Sequence, residues 1–440
     1  MLRSLLLSGL LLFLPYNSSI AADLLEVFTL AEAADPAYLE AQADFRATLE
    51  NKPQARAALL PQLSLSANTF RNEQDISGDG FIVPGQAGDI SFNSRGFSLD
   101  LIQPLFRASA WLQYRQVDSI INQAEAELLA ARQDLALRVS ERYFDILAAR
   151  DNLEFARAEA RALQRQLEQA EKRLEVGLGD ITDVQEARAG HDRATAAVIA
   201  AENALDDRQE ELREITGEYV QDFAKLDTGL PLLKPIPEDI DSWTATALAE
   251  NLEIIAAEQA LETARREIGI QRSEHLPTLD LVARSSHDKT GGRFGNTRIE
   301  SDVIGLELNV PLLQGGLVTS QTRAAQSRYD ASVERLHRAR RASQSRTRQA
   351  YNGVLSGISQ VRAFEQAVVS SQTALEATTA GFEVGSRTAV DVVTAERALS
   401  DARRNLAQAR YEYLVNSLRL KQAAGILADQ DLALINRWLQ

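Results

Sequence analysis

The chain has 440 residues, of which 45% are hydrophobic but only 6% aromatic, a balance typical of long helices and coiled coils. Its net charge of −15 argues against nucleic acid as a partner, because a phosphate-binding surface must be basic. The sequence contains no cysteine, which excludes a disulfide framework, a thiolate metal site and a lipid anchor attached to cysteine.

The first 22 residues have the pattern of a secretory signal peptide. Arg3 supplies positive charge, Leu5 to Leu14 forms a short apolar segment, and Ile20-Ala21-Ala22 is typical of a cleavage site. We expect the mature chain to begin near Asp23. The alternative is an N-terminal membrane anchor, but the apolar segment is short for a helix that must cross a bilayer. The rest of the sequence contains no run of 18 or more apolar residues, so it does not predict a membrane-spanning helix.

The first half of the mature chain is predicted to pass from a helix to a pair of strands. The helix extends from about Val27 to Arg56 and ends before Leu60-Pro61. Apolar and polar residues then alternate with a period of two as far as Pro104, on both sides of a polar, Gly-rich loop at about 72–96. The alternating apolar positions are Leu63, Leu65, Ala67, Phe97, Leu99 and Leu101.

The second half repeats this order. A helix from about Thr246 to Gln271 ends before Leu276-Pro277, and alternation returns as far as Pro311, around a loop with Gly291-Gly292. The chain therefore supplies four strands of about 10 to 14 residues, long enough to cross a bilayer when tilted. A small soluble sheet with one wet face would show the same alternation. Four strands alone cannot close a barrel in lipid, so a membrane barrel would need several chains.

A long run without proline follows each strand pair, from Pro104 to Gly177 and from Pro311 to Gly385. At a rise of about 1.5 Å per residue, a helix of roughly 70 residues extends about 105 Å. In the first run, apolar positions recur at spacings of three, four and seven, which predicts a narrow coiled-coil seam. The seam consists of Val117, Ile121, Ala124, Leu128, Ala131, Leu135, Val139, Ile146, Leu153, Leu167 and Leu174.

One short motif ends both long runs. Glu-Val-Gly at 175–177 recurs at 383–385, an offset of 208 residues, and an aspartate follows each copy, Asp183 and Asp391. Each copy is interpreted as a turn between two helices, and the second helix is predicted to stop at a glycine. The predicted stops are Gly217 and Gly425. The chain is therefore predicted to be a tandem duplication of one long helical hairpin.

These boundaries divide the chain into five parts. They are a signal peptide at 1–22, a first repeat at 23–217 with its strand pair at about 61–104 and its tip at 176–184, a linker at 218–242, a second repeat at 243–425 with its strand pair at about 277–311 and its tip at 384–392, and a tail at 426–440. The linker has three prolines among acidic residues, and we interpret it as a segment wrapped on the outside.

Nearly all of the mature sequence resembles the TolC-type outer membrane efflux proteins, the outer membrane factor family. The matching segments are Val-Gly-Leu and Ile-Thr-Asp-Val-Gln within 176–185, Val-Gly-Ser-Arg-Thr and Val-Asp-Val within 384–392, His-Leu-Pro-Thr-Leu-Asp-Leu at 275–281, Pro-Leu-Leu-Gln-Gly-Gly at 311–316 and Leu-Leu-Pro-Gln-Leu at 59–63. They are nearer to the TolC branch than to the lipid-anchored drug-efflux branch of the family, and the lack of cysteine agrees.

The resemblance implies a mixed α+β membrane protein that forms a homotrimer in the cell outer membrane. Each chain would give four strands to a twelve-stranded β-barrel and four helical segments to a coiled-coil tunnel across the periplasm. The implied partners are outer membrane lipid, a periplasmic adaptor (membrane fusion) protein and an inner-membrane transporter of the RND or ABC type, with no cofactor. The implied function is an exit duct for drug efflux, type I protein secretion or both, opened at its periplasmic tip by the docked pump and adaptor.

The resemblance also implies roles for residues at the tips. Arg387 would reach Thr182 and Asp183 on the neighbouring hairpin and hold the tip shut by charge-assisted hydrogen bonds. Asp391 would form an acidic constriction ring that binds blocking cations. Both aspartates also have a simpler interpretation, as first-turn acids at the positive end of a helix dipole. The residues implied in the tip turns and in adaptor docking are Val176, Gly177, Leu178, Val384, Gly385 and Ser386.

Three positions depart from the family pattern. Phe382, which has no hydroxyl group, replaces the expected gate-holding tyrosine, Lys172 replaces a glutamine, and Thr394 replaces a second ring aspartate. We therefore expect a single acidic ring and a less tightly latched tip.

Other functions fit less of the sequence. A periplasmic coiled-coil scaffold without a pore would explain the long helices but not the alternating strands. An exported hydrolase has little support, because the four histidines (191, 275, 287 and 337) lie on unrelated segments and no HExxH, GxSxG or P-loop motif occurs. The sequence therefore does not predict an enzyme.

Overall fold

The computed structural model describes residues 22–76, 88–177, 179–227, 229–292 and 295–439. The predicted signal peptide lies outside them apart from Ala22. Within these ranges the elements are α1 (Leu24–Ala34), α2 (Pro36–Leu49), α3 (Asn51–Ala57), β1 (Gln62–Ile76), β2 (Gly88–Phe106), α4 (Ala108–Glu175), α5 (Ile181–Thr216), α6 (Ile240–Glu250), α7 (Leu252–Ser273), β3 (Thr278–Thr290), β4 (Thr297–Asn309), α8 (Leu317–Glu383), α9 (Ala389–Ala423) and α10 (Asp429–Asn436).

The same elements recur in the same order in the two halves. Short helices lead into an antiparallel strand pair, then a long helix, a tip turn and a shorter helix. The long helices α4 and α8 have 68 and 67 residues. We call α4 with α5 the first helical hairpin and α8 with α9 the second.

Glycine ends α5 and α9 as predicted. Gly217 has φ 75° and Gly425 has φ 80°, the left-handed conformation that glycine adopts without steric cost. The Gly217 N–H donates to the Arg213 carbonyl oxygen at 2.8 Å, which satisfies one carbonyl of the last turn of α5. No helix among the described residues is both long and apolar enough to cross a membrane.

The short helices differ from the prediction because each is interrupted by a residue with an extended backbone. The helix expected at about 27–56 is broken at Asp35, which precedes Pro36 and takes an extended backbone, as a residue before proline prefers. The Asp35 carboxylate is buried and pairs with Arg138 at 2.7 Å. In the second half, the helix expected from Thr246 begins earlier, at Ile240, and is interrupted at Asn251, which has an extended backbone.

The first strand pair is also longer than predicted. β1 and β2 have 15 and 19 residues, so segments 72–76 and 88–96, expected in the polar loop, are strand. They pair in register, and the Asn72 side-chain amide donates to Ser94 Oγ at 2.8 Å. β2 also continues through Pro104 to Phe106, with a register shift between these two residues in its pairing with β3. Residues 77–87 lie outside the described ranges.

The chain forms two compact units, and each draws on both halves of the sequence. Unit 1 contains Met1–Glu40, Leu129–Asn251 and Ser343–Gln440, and unit 2 contains Ala41–Leu128 and Leu252–Ala342. Unit 2 holds the four strands, which form one antiparallel sheet in the order β1-β2-β3-β4.

The sheet has one apolar and one polar face. In register, Leu63 lies beside Leu101, Leu101 beside Ala283, and Ala283 beside Ile304, so apolar side chains share one face across all four strands. On the other face, the Ser66 and Ser98 hydroxyls lie 2.8 Å apart. Most of the apolar side chains on β1, β2 and β4 are exposed, with Leu65 at 71% and Ile304 at 77% of full exposure, whereas those on β3 are half-buried. An exposed apolar surface of this kind marks a contact with lipid or another protein.

Unit 1 has its core around α4 and around the segment that follows α5. Tyr143 is fully buried, and its hydroxyl lies 3.1 Å from each of the carbonyl oxygens of Ala22 and Ala224. Phe223 packs edge-on against the Tyr143 ring, with 5.6 Å between ring centres. Segment 218–242, interpreted as wrapped on the outside, is therefore anchored to the core of unit 1 through the buried side chain of Phe223.

The predicted seam of α4 is buried at five positions in unit 1 and half-buried at two others, Ala131 and Leu174. The five buried members are Leu135, Val139, Ile146, Leu153 and Leu167.

Candidate functional site

Both tip turns lie in unit 1. In the first tip, α4 ends at Glu175, and Gly177 with φ 73° turns the chain. Helix α5 begins after Asp180, whose side chain accepts hydrogen bonds from the backbone N–H of Thr182 at 3.1 Å and from its hydroxyl at 2.8 Å. Asp180 is therefore the N-cap of α5. These hydrogen bonds hold the pKa of Asp180 below its usual value.

The second tip turns at an equivalent glycine but caps its helix differently. Gly385 has φ 79°, and the backbone N–H of Ser386 donates to the Gly381 carbonyl oxygen at 2.8 Å. Thr388 is the N-cap of α9 and forms a capping box with Asp391. The Asp391 carboxylate accepts from the Thr388 N–H at 2.9 Å and from its hydroxyl at 3.0 Å.

Each tip has a small apolar core of its own. In the first, Leu167, Ala170, Val184 and Ala187 are buried together, with Leu174 packed against them. In the second, the core consists of Leu375, Phe382, Ala389, Val392 and Leu399. Phe382 occupies the position that corresponds to Leu174 at the 208-residue offset.

The residues of the predicted latch are not joined within the single chain. Arg387 forms no ion pair with Asp183 or with any other described carboxylate. The Thr182 hydroxyl donates to Asp180 instead. Asp391 is a first-turn acid of α9, as its simpler interpretation proposed, and so is Asp183 in α5. The pKa of Asp391 is lowered, first by the backbone and side-chain hydrogen bonds from Thr388 and less by the charge of Arg387.

The turn residues are exposed at both tips. Val176 is 67% and Val384 80% exposed, and Gly177, Gly385 and Ser386 are exposed with them. Lys172 is also exposed, on the last turn of α4. Leu178 lies outside the described residues.

The structure joins the two tips through a residue that the sequence analysis missed. The guanidinium carbon of Arg173 on α4 lies 5.0 Å from the centre of the Phe382 ring on α8, a cation–π distance. Phe382 is only 5% exposed. Phe382 departs from the family pattern, which the sequence shows. Its contact with Arg173 depends on the packing of two hairpins and has no signature in either sequence segment.

Further along the hairpins, polar links connect α4 to α9. Arg419 pairs with Glu141 at 2.7 Å, and the Tyr411 hydroxyl donates to the Asp151 carboxylate at 2.6 Å. Arg404 pairs with Glu159 at 3.4 Å, nearer the tips. As numbers rise on α4 they fall on α9, so the two helices are antiparallel neighbours with a polar link about every two to three turns.

Several carboxylates along the hairpins have raised pKa values, and burial is the main cause in each. Burial raises the pKa of Asp145 and of Asp151, and the hydrogen bond from Tyr411 opposes the shift at Asp151. Burial also raises the pKa of Glu396, against the charges of Arg165 and Arg403. Among the described residues, no group of three or more His, Asp or Glu side chains is arranged to hold a metal ion.

The comparison with protein families decides what kind of protein carries these tips. The outer membrane efflux protein family matches residues 27–218 and 243–426, most of the chain in two segments. The chain belongs to the outer membrane efflux protein family. The resemblance inferred from the sequence motifs is confirmed, and this efflux protein is located in the outer membrane.

Individual relatives cover nearly all of this efflux protein. It is 38% identical over 425 residues to the outer membrane protein TolC of Vibrio cholerae, covering 96% of this chain and 94% of the relative. It is 32% identical over 436 residues to the alkaline protease secretion protein AprF of Pseudomonas aeruginosa, covering 98% of this chain and 90% of the relative.

Solved structures share the fold of this efflux protein at lower identity. The crystal structure of the outer membrane protein VceC from Vibrio cholerae superposes with a TM-score of 0.75 at 20% identity, covering 91% of this chain and 96% of that one. This similarity applies to the fold of helices and sheet.

Proposed function

We propose that three copies of this chain form an outer membrane exit duct. The four strands of each copy form one third of a twelve-stranded barrel, and the helical hairpins form a tunnel in the periplasm that closes at the tips. The duct carries substrates of drug efflux, of type I protein secretion or of both.

The sheet of unit 2 carries the argument for a shared barrel. Its apolar face is exposed on β1, β2 and β4 and half-buried on β3, as expected of side chains that contact lipid. In the order β1-β2-β3-β4, β1 and β4 are edges with unpaired backbone groups on one side. Unpaired backbone groups cost several kcal/mol each in lipid, so a membrane sheet must close on itself. Three sheets joined edge to edge leave no edge.

The relatives support the transport class. TolC of Vibrio cholerae is named an outer membrane protein, and AprF of Pseudomonas aeruginosa is named for secretion of alkaline protease. We propose a periplasmic adaptor and an inner-membrane transporter of the RND or ABC type as partners of this chain. The exposed valines of the tip turns, Val176 and Val384, provide apolar contacts for the adaptor.

The tips act as the gate of the duct. Arg387 has no ion-pair partner among the described residues of its own chain, so it is available to Thr182 and Asp183 of the neighbouring copy. Such a link contributes about 1 kcal/mol where solvent reaches it, and three copies act together. Threefold repetition of Asp391 places three carboxylates around one axis, a ring that binds cations.

Two measurements test the duct. The purified protein, reconstituted in planar lipid bilayers, is expected to form channels with a small resting conductance, because the tips are closed. In cells, the protein is expected to stay with the outer membrane after washing with salt or carbonate and to require detergent. A chain released by carbonate that forms no channels would instead be the periplasmic scaffold.

A further inference from the structure

The two tips each carry an arginine, but at positions that do not correspond. Arg173 precedes the turn of the first hairpin, and the equivalent position in the second hairpin is Gly381. Arg387 follows the turn of the second hairpin, and its equivalent in the first is Gly179. The arginine and the glycine have therefore exchanged places between the two repeats.

The contacts at the glycines explain the exchange. A Cβ atom on Gly179 would lie 3.2 Å from Cβ of Arg173, and a Cβ atom on Gly381 would lie 2.7 Å from Cγ of Arg387. In each turn the two positions therefore approach each other closely, and glycine at one of them gives the arginine at the other more room.

The two arginines also have different surroundings. Arg173 is half-buried, and its guanidinium carbon lies 5.0 Å from the centre of the Phe382 ring. Phe382 is held in place by the second tip core, packed with Leu375 and Val392. Arg387 is exposed and forms no ion pair with the described residues of its own chain.

A cation over an aromatic ring is attracted by the negative face of the ring, and the attraction is stronger where water is excluded. Because Phe382 is buried in the second hairpin, a cation bound to its face is a link to that hairpin. Arg173 belongs to the first hairpin, so the contact connects the two hairpins of one chain at their tips. The pairing of Arg188 with Glu171 at 2.8 Å, by contrast, stays within the first hairpin.

We propose that Arg173 and Phe382 form a second latch of the gate, within one chain, in addition to the link of Arg387 between chains. The proposal rests on the proposed function of a duct closed at its tips. It assigns Phe382 a role that does not need the hydroxyl of tyrosine, since the ring face binds the cation. Opening of the tip by movement of the second hairpin away from the first breaks this contact.

Single-channel conductance in planar bilayers tests the latch. Arg173→Gln removes the cation, and Phe382→Leu removes the ring but keeps an apolar side chain, the residue found at the equivalent Leu174. Loss of a cation–π contact is expected to raise the ratio of open to closed tips about twofold to thirtyfold in each variant. The double variant is expected to match the larger single effect, because both substitutions remove the same contact.

Two control variants separate the latch from general loosening. Phe382→Tyr keeps the ring face and restores the hydroxyl group of the family pattern, so it is expected not to raise the resting conductance, in contrast to Phe382→Leu. Arg188→Gln removes an arginine of the same tip that does not reach the second hairpin, and it is also expected to leave conductance unchanged. An increase in Arg188→Gln equal to that in Arg173→Gln would overturn the proposal.

A distance measurement provides a second readout. Because the chain has no cysteine, spin labels can be placed at Val176→Cys and Val384→Cys, both exposed, in trimers that contain one labelled chain. Arg173→Gln is expected to lengthen the distance between the labels and broaden its distribution, even where conductance is difficult to record. An unchanged distance distribution would overturn the latch.

Failure of the latch and failure of the duct give different results. If the original protein forms no channels, the duct is wrong. If it forms channels of small resting conductance that Arg173→Gln leaves unaltered, the duct remains and the latch is wrong. The latch is also wrong if the effects of Arg173→Gln and Phe382→Leu on the conductance add fully in the double variant.

Discussion

Tyr411 of the second hairpin donates a hydrogen bond to Asp151 of the first, with 2.6 Å between the hydroxyl oxygen and carboxylate Oδ2. Tyr411 is 7% exposed, and its ring stacks with Phe144 at 5.8 Å between ring centres. Burial raises the pKa of both groups of the pair. The hydrogen bond thus offsets the cost of removing two polar groups from water. It joins two residues that are 260 positions apart in the sequence.

Removal of this hydroxyl is expected to destabilise the protein. Tyr411→Phe leaves the half-buried Asp151 without its donor, which costs about 1 to 3 kcal/mol. Thermal unfolding of the detergent-solubilised protein measures the loss. Tyr219→Phe is a matched control, since Tyr219 also bonds to a carboxylate, that of Glu210, but is 56% exposed. An equal loss of stability in Tyr411→Phe and Tyr219→Phe would show that the loss does not depend on burial of the hydrogen-bonded pair.

The stability is expected to depend on pH through Asp151. Burial raises its pKa above 3.8 in the folded protein, so the unfolded chain releases this proton at lower pH than the folded one. Protonated Asp151 adds to the free energy of unfolding below about pH 4, and this contribution is lost as the pH rises through the pKa of Asp151 in the folded protein. Asp151→Asn is expected to weaken the dependence of the melting temperature on pH above about pH 4. A dependence as steep as in the original protein would exclude Asp151 as its source.

Two glycines with the same backbone conformation are expected to differ in their tolerance of alanine. At Gly385, with φ 79°, a Cβ atom meets nothing within 4 Å, so Gly385→Ala costs about 1 to 2 kcal/mol of backbone strain. At Gly425, with φ 80°, a Cβ atom would lie 2.2 Å from the Glu250 carbonyl oxygen. Gly425→Ala is therefore expected to cost about 2 to 5 kcal/mol. Equal melting temperatures for the two variants would contradict this account of the packing at the end of α9.

The proposed link of Arg387 between chains predicts that its removal raises the resting conductance. Arg387→Ala is expected to raise the resting single-channel conductance, because it removes one charge-assisted link from each of three chains. Arg397→Ala, which removes an exposed arginine further along α9, serves as the control. Unchanged conductance in Arg387→Ala would remove this residue as a latch.

The acidic ring predicts block by cations. Divalent or trivalent cations added from the periplasmic side are expected to block current, and Asp391→Asn is expected to abolish the block. Asparagine suits this test better than alanine because its side-chain oxygen still accepts from the Thr388 N–H, so the cap of α9 is kept. Asp192→Asn, an exposed acid of α5, should leave the block intact. Block that survives in Asp391→Asn would place the cation site elsewhere.

The sequence was sufficient where the cause of a structure is local. Gly217 and Gly425 end their helices because glycine takes the left-handed conformation, and the Glu-Val-Gly motifs mark two turns for the same reason. The break at Asp35 could have been anticipated from Pro36. The 72–76 and 88–96 segments were misassigned because polar residues favoured a loop, whereas pairing with a neighbouring strand made them strand.

The contacts of the tips could not be predicted in this way. Arg173 and Phe382 are 209 residues apart, and their contact requires both hairpins to be packed side by side. The bond between Thr388 and Asp391, by contrast, has a local signature that the sequence analysis missed, because Thr-x-x-Asp before an apolar run is the pattern of a capping box.

The most direct test of the account is the mass of the assembled protein, because the duct requires three copies to close one barrel. Native mass spectrometry of protein extracted from the outer membrane in mild detergent is expected to give three times the mass of the mature chain, together with bound lipid. A monomer as the only species, with its four strands soluble in water without detergent, would contradict the account.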